Sequence, residues 1–436
     1  MKILRAVLLA AVAFALVPAR VDTAAAAPVI DPLLRQVLQS AGPLEQVQAI
    51  VTFSSKPTTL ALNILRLSGV KIAPMQVLPM VAIQGTPLQV SAATTLGIPG
   101  LVSIYHNRRL QYFLDESTAT IGATAVWNDL GFTGEGVTVA VLDSGIDGTH
   151  TDLTFGSKVV QNVKVLPDPI AVTGPVAIEN LATTDTSSGH GTHCASTIAG
   201  TGDAASGRYR GVAHGARLVG LGTGEVIAIL SAVEGFDWIL ANQQRYGIRV
   251  VSNSWGTTGA FDPADPVNVA SKRAHDAGIV VVFAAGNDGP GDNTLNPYSV
   301  ASWVIGVAAG HKDGQTLADF SSRGIAGDTV YQPTITAPGV DIVAARAPTG
   351  TITLLAAQAD LALGADAVRY TAMSGTSMAT PHVAGVVALM LQANPALTPA
   401  QVRAAITSTA TAMPGYQVHQ VGAGYVNALA AVTAVR

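Results

Sequence analysis

The feature that most constrains this chain is a set of short, almost unbroken apolar runs: Val137-Thr138-Val139-Ala140-Val141-Leu142, Ile248-Arg249-Val250-Val251-Ser252 and Ile279-Val280-Val281-Val282-Phe283. Aliphatic and β-branched runs without polar alternation are what strands buried on both faces of a parallel sheet require. Helix-length stretches, Ala228 to Asn242 and Asn268 to Ala277, lie between and after them. The alternation predicts an α/β fold, an open and mostly parallel sheet with helices on both faces. Near the C-terminus Thr398 as N-cap and Pro399 at the first helical position announce a further helix through Ile406.

Residues from about 30 to 113 differ in texture. Val47–Phe53, Val77–Ile83 and Val102–Tyr105 read as strands, and Thr58–Leu67 and Leu88–Leu96 as helices between them. That order predicts a small α+β sandwich of ferredoxin-like type ahead of the main sheet. The polar segment Asp115-Glu116-Ser117-Thr118 then reads as a linker and a place for cleavage. At the very start, Met1-Lys2-Ile3-Leu4-Arg5 precedes an apolar stretch from Ala6 to about Val17 and the small residues Ala24 to Ala27. The apolar stretch is shorter than the roughly 20 residues a membrane span needs, so residues 1–26 are expected to be a signal peptide and the protein to be secreted.

Composition excludes other classes. With 49% hydrophobic and 12% charged residues the chain has a large interior, and a net charge of −4 without a basic run gives no purchase for nucleic acid or an anionic membrane. The single cysteine, Cys194, forbids an intrachain disulfide. Its place four residues after His190 invites a thiol nucleophile, but a buried small side chain on the helix carrying His190 is the stronger reading.

Parallel sheets bring functional groups to the carboxyl ends of their strands. Asp143, Ser254-Trp255-Gly256 and Asn287 each follow a buried-type strand and are expected at one edge. His190 and Ser377 open helices, in Gly189-His190-Gly191-Thr192-His193-Cys194-Ala195 and Gly375-Thr376-Ser377-Met378-Ala379-Thr380-Pro381-His382, with Pro381 expected in a first turn. Acyl transfer needs a hydroxyl, a base near neutral pKa and a carboxylate to orient that base. Ser377, His190 and Asp143 supply those groups, and Asn287 an amide for the oxyanion.

Val141-Leu142-Asp143-Ser144-Gly145-Ile146-Asp147, His190-Gly191-Thr192-His193 and the block from Gly375 to His382 resemble the three signature blocks of subtilisin-like serine proteases, in that family's order Asp, His, Ser. The resemblance covers about residues 117–430. It implies a catalytic set of Asp143, His190, Ser377 and Asn287, with Ser254, Trp255, Gly256 and Gly286 binding substrate beside the S1 pocket. It further implies a peptidase domain over 117–436, preceded over 27–116 by a propeptide that inhibits and assists folding. Partners would be protein or peptide substrates and the chain's own propeptide, on a monomer. No cofactor is needed for the chemistry, and structural calcium is a secondary expectation. Asp152 falls where many members place a calcium ligand, yet the loop Gly202–Gly207 lacks the usual carbonyl and Asn pattern. Asp147 and Asp152 are otherwise turn residues, and His193 and His382 structural histidines.

Three departures bear on specificity. The segment Gly220–Leu230, expected to hold the strand edge that pairs with substrate, is shorter than usual; Thr349–Ala367 is an insertion before the serine block; and Trp255 would narrow S1 if its ring points there. An apolar or aromatic P1 residue is the resulting expectation. Rival classes fit less well: a non-catalytic binder on the same fold leaves the triad unexplained, an α/β-hydrolase esterase wants Gly-x-Ser-x-Gly and the order Ser, Asp, His, and Gly220-Leu-Gly222-Thr-Gly224 lacks a phosphate-loop lysine. The cysteine beside the histidine block resembles the proteinase K branch, so mercurials are expected to abolish activity; an enzyme indifferent to mercury places Cys194 out of reach.

Overall fold

The computed structural model describes residues 27–107, 109–112, 120–166, 176–224, 227–349, 360 and 366–436. The expected signal peptide, the linker Asp115–Thr118 and most of the insertion Thr349–Ala367 fall outside them.

The apolar runs become neighbouring strands. Thr138–Asp143 lies between Ile248–Asn253 and Arg217–Gly222, and Val280–Ala284 flanks Ile248–Asn253 on the far side. The complete eight-stranded sheet runs Ile335–Pro338, Val304–Gly310, Val280–Ala284, Ile248–Asn253, Thr138–Asp143, Arg217–Gly222, Val159–Leu166, Val176–Ile178. Every pairing is parallel except the last, where Val176–Ile178 closes one edge antiparallel.

Strand parity decides what each face buries. Val139, Val141, Val250, Val280 and Val282 meet the helices His190–Ala199 and Thr376–Ala393 on one side. Ala140, Leu142, Val251, Val281 and Phe283 meet Ile229–Tyr246 and Pro266–Asp276 on the other. The helix Pro399–Ser408 starts at Thr398, whose hydroxyl accepts from the Gln401 N–H while the Gln401 side chain returns to Thr398.

The N-terminal unit has the expected ferredoxin-like arrangement. Strands Leu101–His106, Val47–Phe53, Met80–Gly85 and Lys71–Pro74 lie in that spatial order, all antiparallel, with helices Thr59–Leu67 and Pro87–Thr95 between them in sequence. Sequence reading overlooked a third helix, Pro32–Ser40, capped by Asp31, and the short strand Val29–Ile30 on the outer edge. Alternation again assigns the faces. Ala49, Val51, Phe53, Val81 and Ile83 turn to the unit's own helices, whereas Ile50, Met80 and Ala82, with Met75 and Leu78, join the core around Phe236 and Trp238 of the large unit.

The strand expected over Val77–Ile83 begins only at Met80, and the reason lies across the interface. The buried Asp237 carboxylate, on helix Ile229–Tyr246, accepts from the N–H groups of Gln76, Val77 and Leu78 at 2.6, 2.5 and 2.6 Å. Those amides are gathered around an anion and cannot enter a ladder. Burial pushes the Asp237 carboxyl pKa up, against the pull of the three amides. Asn107 adds a cap in the other direction, its side-chain oxygen accepting from the Leu230 N–H at 2.6 Å. Ser103 donates to the Ala264 carbonyl, and Tyr105 to Asp262.

Asp237→Ala should therefore loosen the docked loop while sparing the sheet. Hydrogen exchange at Gln76–Leu78 is expected to speed up by at least about tenfold, the loss of charge-assisted bonds, with strand Ile248–Asn253 unchanged.

Candidate active site

Three adjacent parallel strands end at the same edge. Thr138–Asp143 delivers Asp143, Ile248–Asn253 runs into Ser254, and Val280–Ala284 leads through Ala285-Gly286 to Asn287. Two helices packed against each other bring the rest: His190 is the first residue of His190–Ala199, and Ser377 the second of Thr376–Ala393.

The His190 Nδ1–H donates to Asp143 Oδ1 at 2.7 Å, with both side chains wholly buried. Asp143 Oδ1 also accepts from the Ser144 N–H at 2.7 Å. Burial alone would pull the imidazolium pKa down, but the charge of Asp143 and the bond to it outweigh this and hold His190 well above the ordinary 6.5.

The helix that carries His190 is anchored by residues that sequence reading passed over. Asp185 accepts from the Gly189 and Thr192 N–H groups at 2.8 and 3.0 Å and from the Thr192 and Ser144 hydroxyls at 2.6 and 3.2 Å. Ser144 Oγ accepts from the Gly191 N–H at 2.8 Å, and Ser188 Oγ from the His190 N–H at 3.3 Å. The available signal was an acidic residue five positions before a helix that opens on glycine, where N-terminal amides need acceptors.

Ser377 Oγ donates to the Ser254 carbonyl at 2.9 Å, and Ser254 Oγ donates to the Ser377 carbonyl at 2.8 Å. Pro381, expected in a first turn, is the sixth residue of the helix and sits inside it. Asn287 Oδ1 accepts from the Thr376 N–H at 2.9 Å and the Thr376 hydroxyl at 3.0 Å. A backbone N–H can only donate, so the atom facing Thr376 is the amide oxygen and the Asn287 NH₂ group is left on the opposite side.

Ser254 thus meets Ser377 directly. The Trp255 ring does not point toward S1: it is wholly buried, donates to the Leu142 carbonyl at 2.7 Å and packs edge-on against Phe283 and Tyr298. Parity on the short strand Trp255–Gly256 turns that side chain into the core, so only its backbone faces the cleft. Gly256 is held against Asn296, where a Cβ would stand 2.2 Å from Nδ2; Asn296 donates to the Trp255 and Ala284 carbonyls. Gly286, expected to bind substrate, donates its N–H to Thr376 Oγ1 at 3.2 Å and accepts from the Ser322 N–H at 2.9 Å, so it braces the turn before Asn287.

The cleft strands are already paired. Arg109–Tyr112, from the end of the N-terminal unit, lies antiparallel between Ile227–Ala228 and Trp255–Gly256, with Tyr112 opposite Trp255 and Gln111 opposite Gly256. The edge strand expected within Gly220–Leu230 is Ile227–Ala228, and it is short because helix Ile229–Tyr246 begins at once. Arg217–Gly222 instead belongs to the interior of the main sheet.

Cys194 is wholly buried among Ile342, Met373 and Met378, its Sγ 3.9 and 4.0 Å from the two His190 ring nitrogens and 3.6 Å from the Ser377 carbonyl. Among the described residues, Asp143, His190 and Cys194 form the one cluster with metal-ligand spacing. Its acid and base are bonded to each other, and burial pushes the Cys194 thiol up, which keeps its proton on. His193 and His382 bond to the carbonyls of Ile342 and Met378, and burial pushes them down to about 3 and about 4. Asp147 accepts from the Thr149 N–H and hydroxyl, as in a turn. Asp152 accepts from the Ala204 N–H through one oxygen and from the Tyr370 hydroxyl through the other, at 2.9 and 2.7 Å. It ties the loop after the histidine helix to strand Tyr370–Met373.

Residues 134–424 match the Subtilase family. Serine protease AprX of Bacillus subtilis is 36% identical over 352 residues, 74% of this chain and 73% of that protein. M-protease of Shouchella clausii is 33% identical, covering 69% of this chain and 65% of its own, and Subtilisin Savinase of Lederbergia lenta 32%, covering 69% and 92%. Fervidolysin from Fervidobacterium pennivorans, described as a keratinolytic enzyme related to subtilisin, superposes with a TM-score of 0.65 over 93% of this chain and 63% of its own; at 22% identity it speaks for the fold. Among the described residues no helix is long and apolar enough to cross a membrane. The family match takes in every strand of the main sheet and both site helices, and the relatives include a protein named as a serine protease and one named as a subtilisin, so this chain belongs to the subtilase family of subtilisin-like serine proteases.

Proposed function

We propose that this protein is a secreted serine endopeptidase that works through an acyl-enzyme on Ser377 and is made as a precursor that cuts itself. Ser377 Oγ attacks the scissile carbonyl carbon while its proton passes to Nε2 of His190; Asp143 holds Nδ1–H, so Nε2 is the basic nitrogen. The carbonyl electron pair moves to oxygen, where the Asn287 NH₂ group and the Ser377 N–H are the donors. At the second position of a helix that N–H has no acceptor within the helix. Collapse breaks the C–N bond and returns the proton from His190 to the departing amine. Water then repeats the sequence on the ester and restores the serine. Every role is filled by the chain's own groups, and calcium, if bound, would act on stability.

The observation that carries the reading is the seat of Arg109–Tyr112. An extended segment paired on both sides, with Tyr112 opposite Trp255 next to Ser254, is how a peptide substrate would add itself to these strand edges. The same seat supports self-processing: residues 27–116 act as propeptide and inhibitor, with 117–436 as the peptidase domain. Substrates are proteins or peptides read mainly through their backbone, and the working unit is a monomer exported after removal of residues 1–26.

Residues 27–436 expressed with casein should lose the N-terminal unit, giving a new N-terminus just beyond Tyr112, within residues 113–119, and digest the casein. Ser377→Ala should remain full length and inert; if the wild type also stays intact and casein survives although the chain is folded, the binder reading takes over.

The acid limb of kcat/KM should follow His190, which must be neutral to accept a proton. Its raised pKa puts the midpoint above 6.5, with activity appearing as pH rises through it. Asp143→Asn should lower kcat by about 10⁴-fold and move the limb to lower pH, since burial then acts without the opposing charge. A limb that stays in place would separate His190 from the rate.

A further inference from the structure

In an α-helix the N–H of the residue four positions on bonds to each carbonyl. For Ser377 that residue is Pro381, which has no N–H. The Ser377 carbonyl therefore lacks its helical donor in a wholly buried turn. Two side chains fill the gap. The Ser254 hydroxyl donates at 2.8 Å, and the Cys194 thiol, a much weaker donor, stands at 3.6 Å. The exchange is mutual, for the Ser377 hydroxyl donates to the Ser254 carbonyl at 2.9 Å. One residue thus holds both the main chain and the side chain of Ser377. It immediately precedes Trp255–Gly256, the strand that pairs with the segment lying in the cleft.

We propose that Ser254, beyond lending its backbone to the cleft, is a positioning residue for Ser377: its hydroxyl supplies the hydrogen bond that Pro381 cannot. The bond fixes the peptide group after Ser377, and with it the direction of Oγ and the tilt of the first helical turn toward the oxyanion. Had the helix satisfied this carbonyl itself, the serine turn would be tied only to its own helix. Handing the carbonyl to Ser254 ties it to the substrate strand, so the attacking oxygen and the bond attacked are referred to one residue. Small misplacements of a reacting group have large rate effects. The inference rests on Ser377 being the nucleophile.

The test is a double-mutant cycle on the processed enzyme with Ser254→Ala, Pro381→Ala and both together. It reads kcat and KM on a chromogenic peptide, the rate of Ser377 labelling by a fluorophosphonate, and Tm. Ser254→Ala should slow kcat and labelling by about three- to tenfold, with KM held within about twofold. Pro381→Ala should stay near wild type, because the replacement restores an N–H that reaches the same carbonyl. In that background Ser254→Ala should cost less than about twofold. An equal loss in both backgrounds, an effect confined to KM, or a fall in Tm at unchanged kcat overturns the positioning role. Failure of the underlying reading looks different: Ser377→Ala then keeps its hydrolysis, and the fluorophosphonate labels another residue.

Discussion

The active-site edge depends on how closely the helix His190–Ala199 approaches the turn after strand Thr138–Asp143. A Cβ on Gly191 would stand 2.2 Å from the Gly145 carbonyl oxygen and 3.0 Å from the Asp143 Cβ. Any side chain there would push the helix back, and the 2.7 Å bond from His190 to Asp143 would open with it. The glycine after the histidine is thus a spatial requirement of the Asp–His pair rather than a gift of flexibility. The same approach sets Cys194, one turn on, against the Ser377 carbonyl, so one close contact registers the aspartate strand, the histidine helix and the serine helix together.

The docked N-terminal unit follows different physics. Its sheet is apolar on both faces, one for its own helices and one for the helices Ile229–Tyr246 and Pro266–Asp276. A five-stranded sheet with a second apolar face cannot stand alone in water without exposing it. That fits the propeptide role proposed for this unit. Polar contacts give the interface its register: Asp237 gathers three amides of one loop, and Asn107 caps the helix that carries Asp237. The carboxylate is buried and its partners all come from the N-terminal unit, so removal of that unit returns it to water, where it is well solvated. The interface is strong while covered and costs little to abandon.

Much of this was legible in sequence because its signals are local. Continuous apolar runs marked strands buried on both faces, and Thr398-Pro399 marked a helix start because capping involves residues three apart. Asp143, His190, Ser377 and Asn287 lie in short blocks whose types match the chemistry, and the sheet order brings those blocks to one edge. What sequence could not show is decided across distance or by parity. Asp237 and the loop it holds are about 160 residues apart in the chain, so the late start of strand Met80–Gly85 had no local cause to read. The inward turn of Trp255 depends on a two-residue strand whose register is set by Arg109–Tyr112. Pro381 looked like a first-turn proline because the sequence does not say where the helix begins. Asp185 and Ser144 looked unremarkable because they bind each other and backbone amides across a distance in sequence, contacts that leave no local residue signature.

His190 and Ser377, the proposed base and nucleophile, stand at helix N-termini, and the two ends are capped differently. The histidine helix has its exposed amides taken by Ser188, Ser144 and the Asp185 carboxylate. Burial pushes the Asp185 carboxyl pKa up against the pull of these bonds, and its oxygens take the amides that the helix start leaves without partners. The serine helix meets a neutral partner: Asn287 gives its amide oxygen to Thr376, and the first turn carries no acidic residue. Its positive end stays uncompensated by a partner of its own, available to charge that exists only while the carbonyl is under attack. One helix end is closed by several side-chain acceptors, and the other has a neutral cap and no charged partner in its first turn, which suits a developing anion. The proposed division of labour between base and nucleophile thus has a counterpart in how the two helix starts are capped.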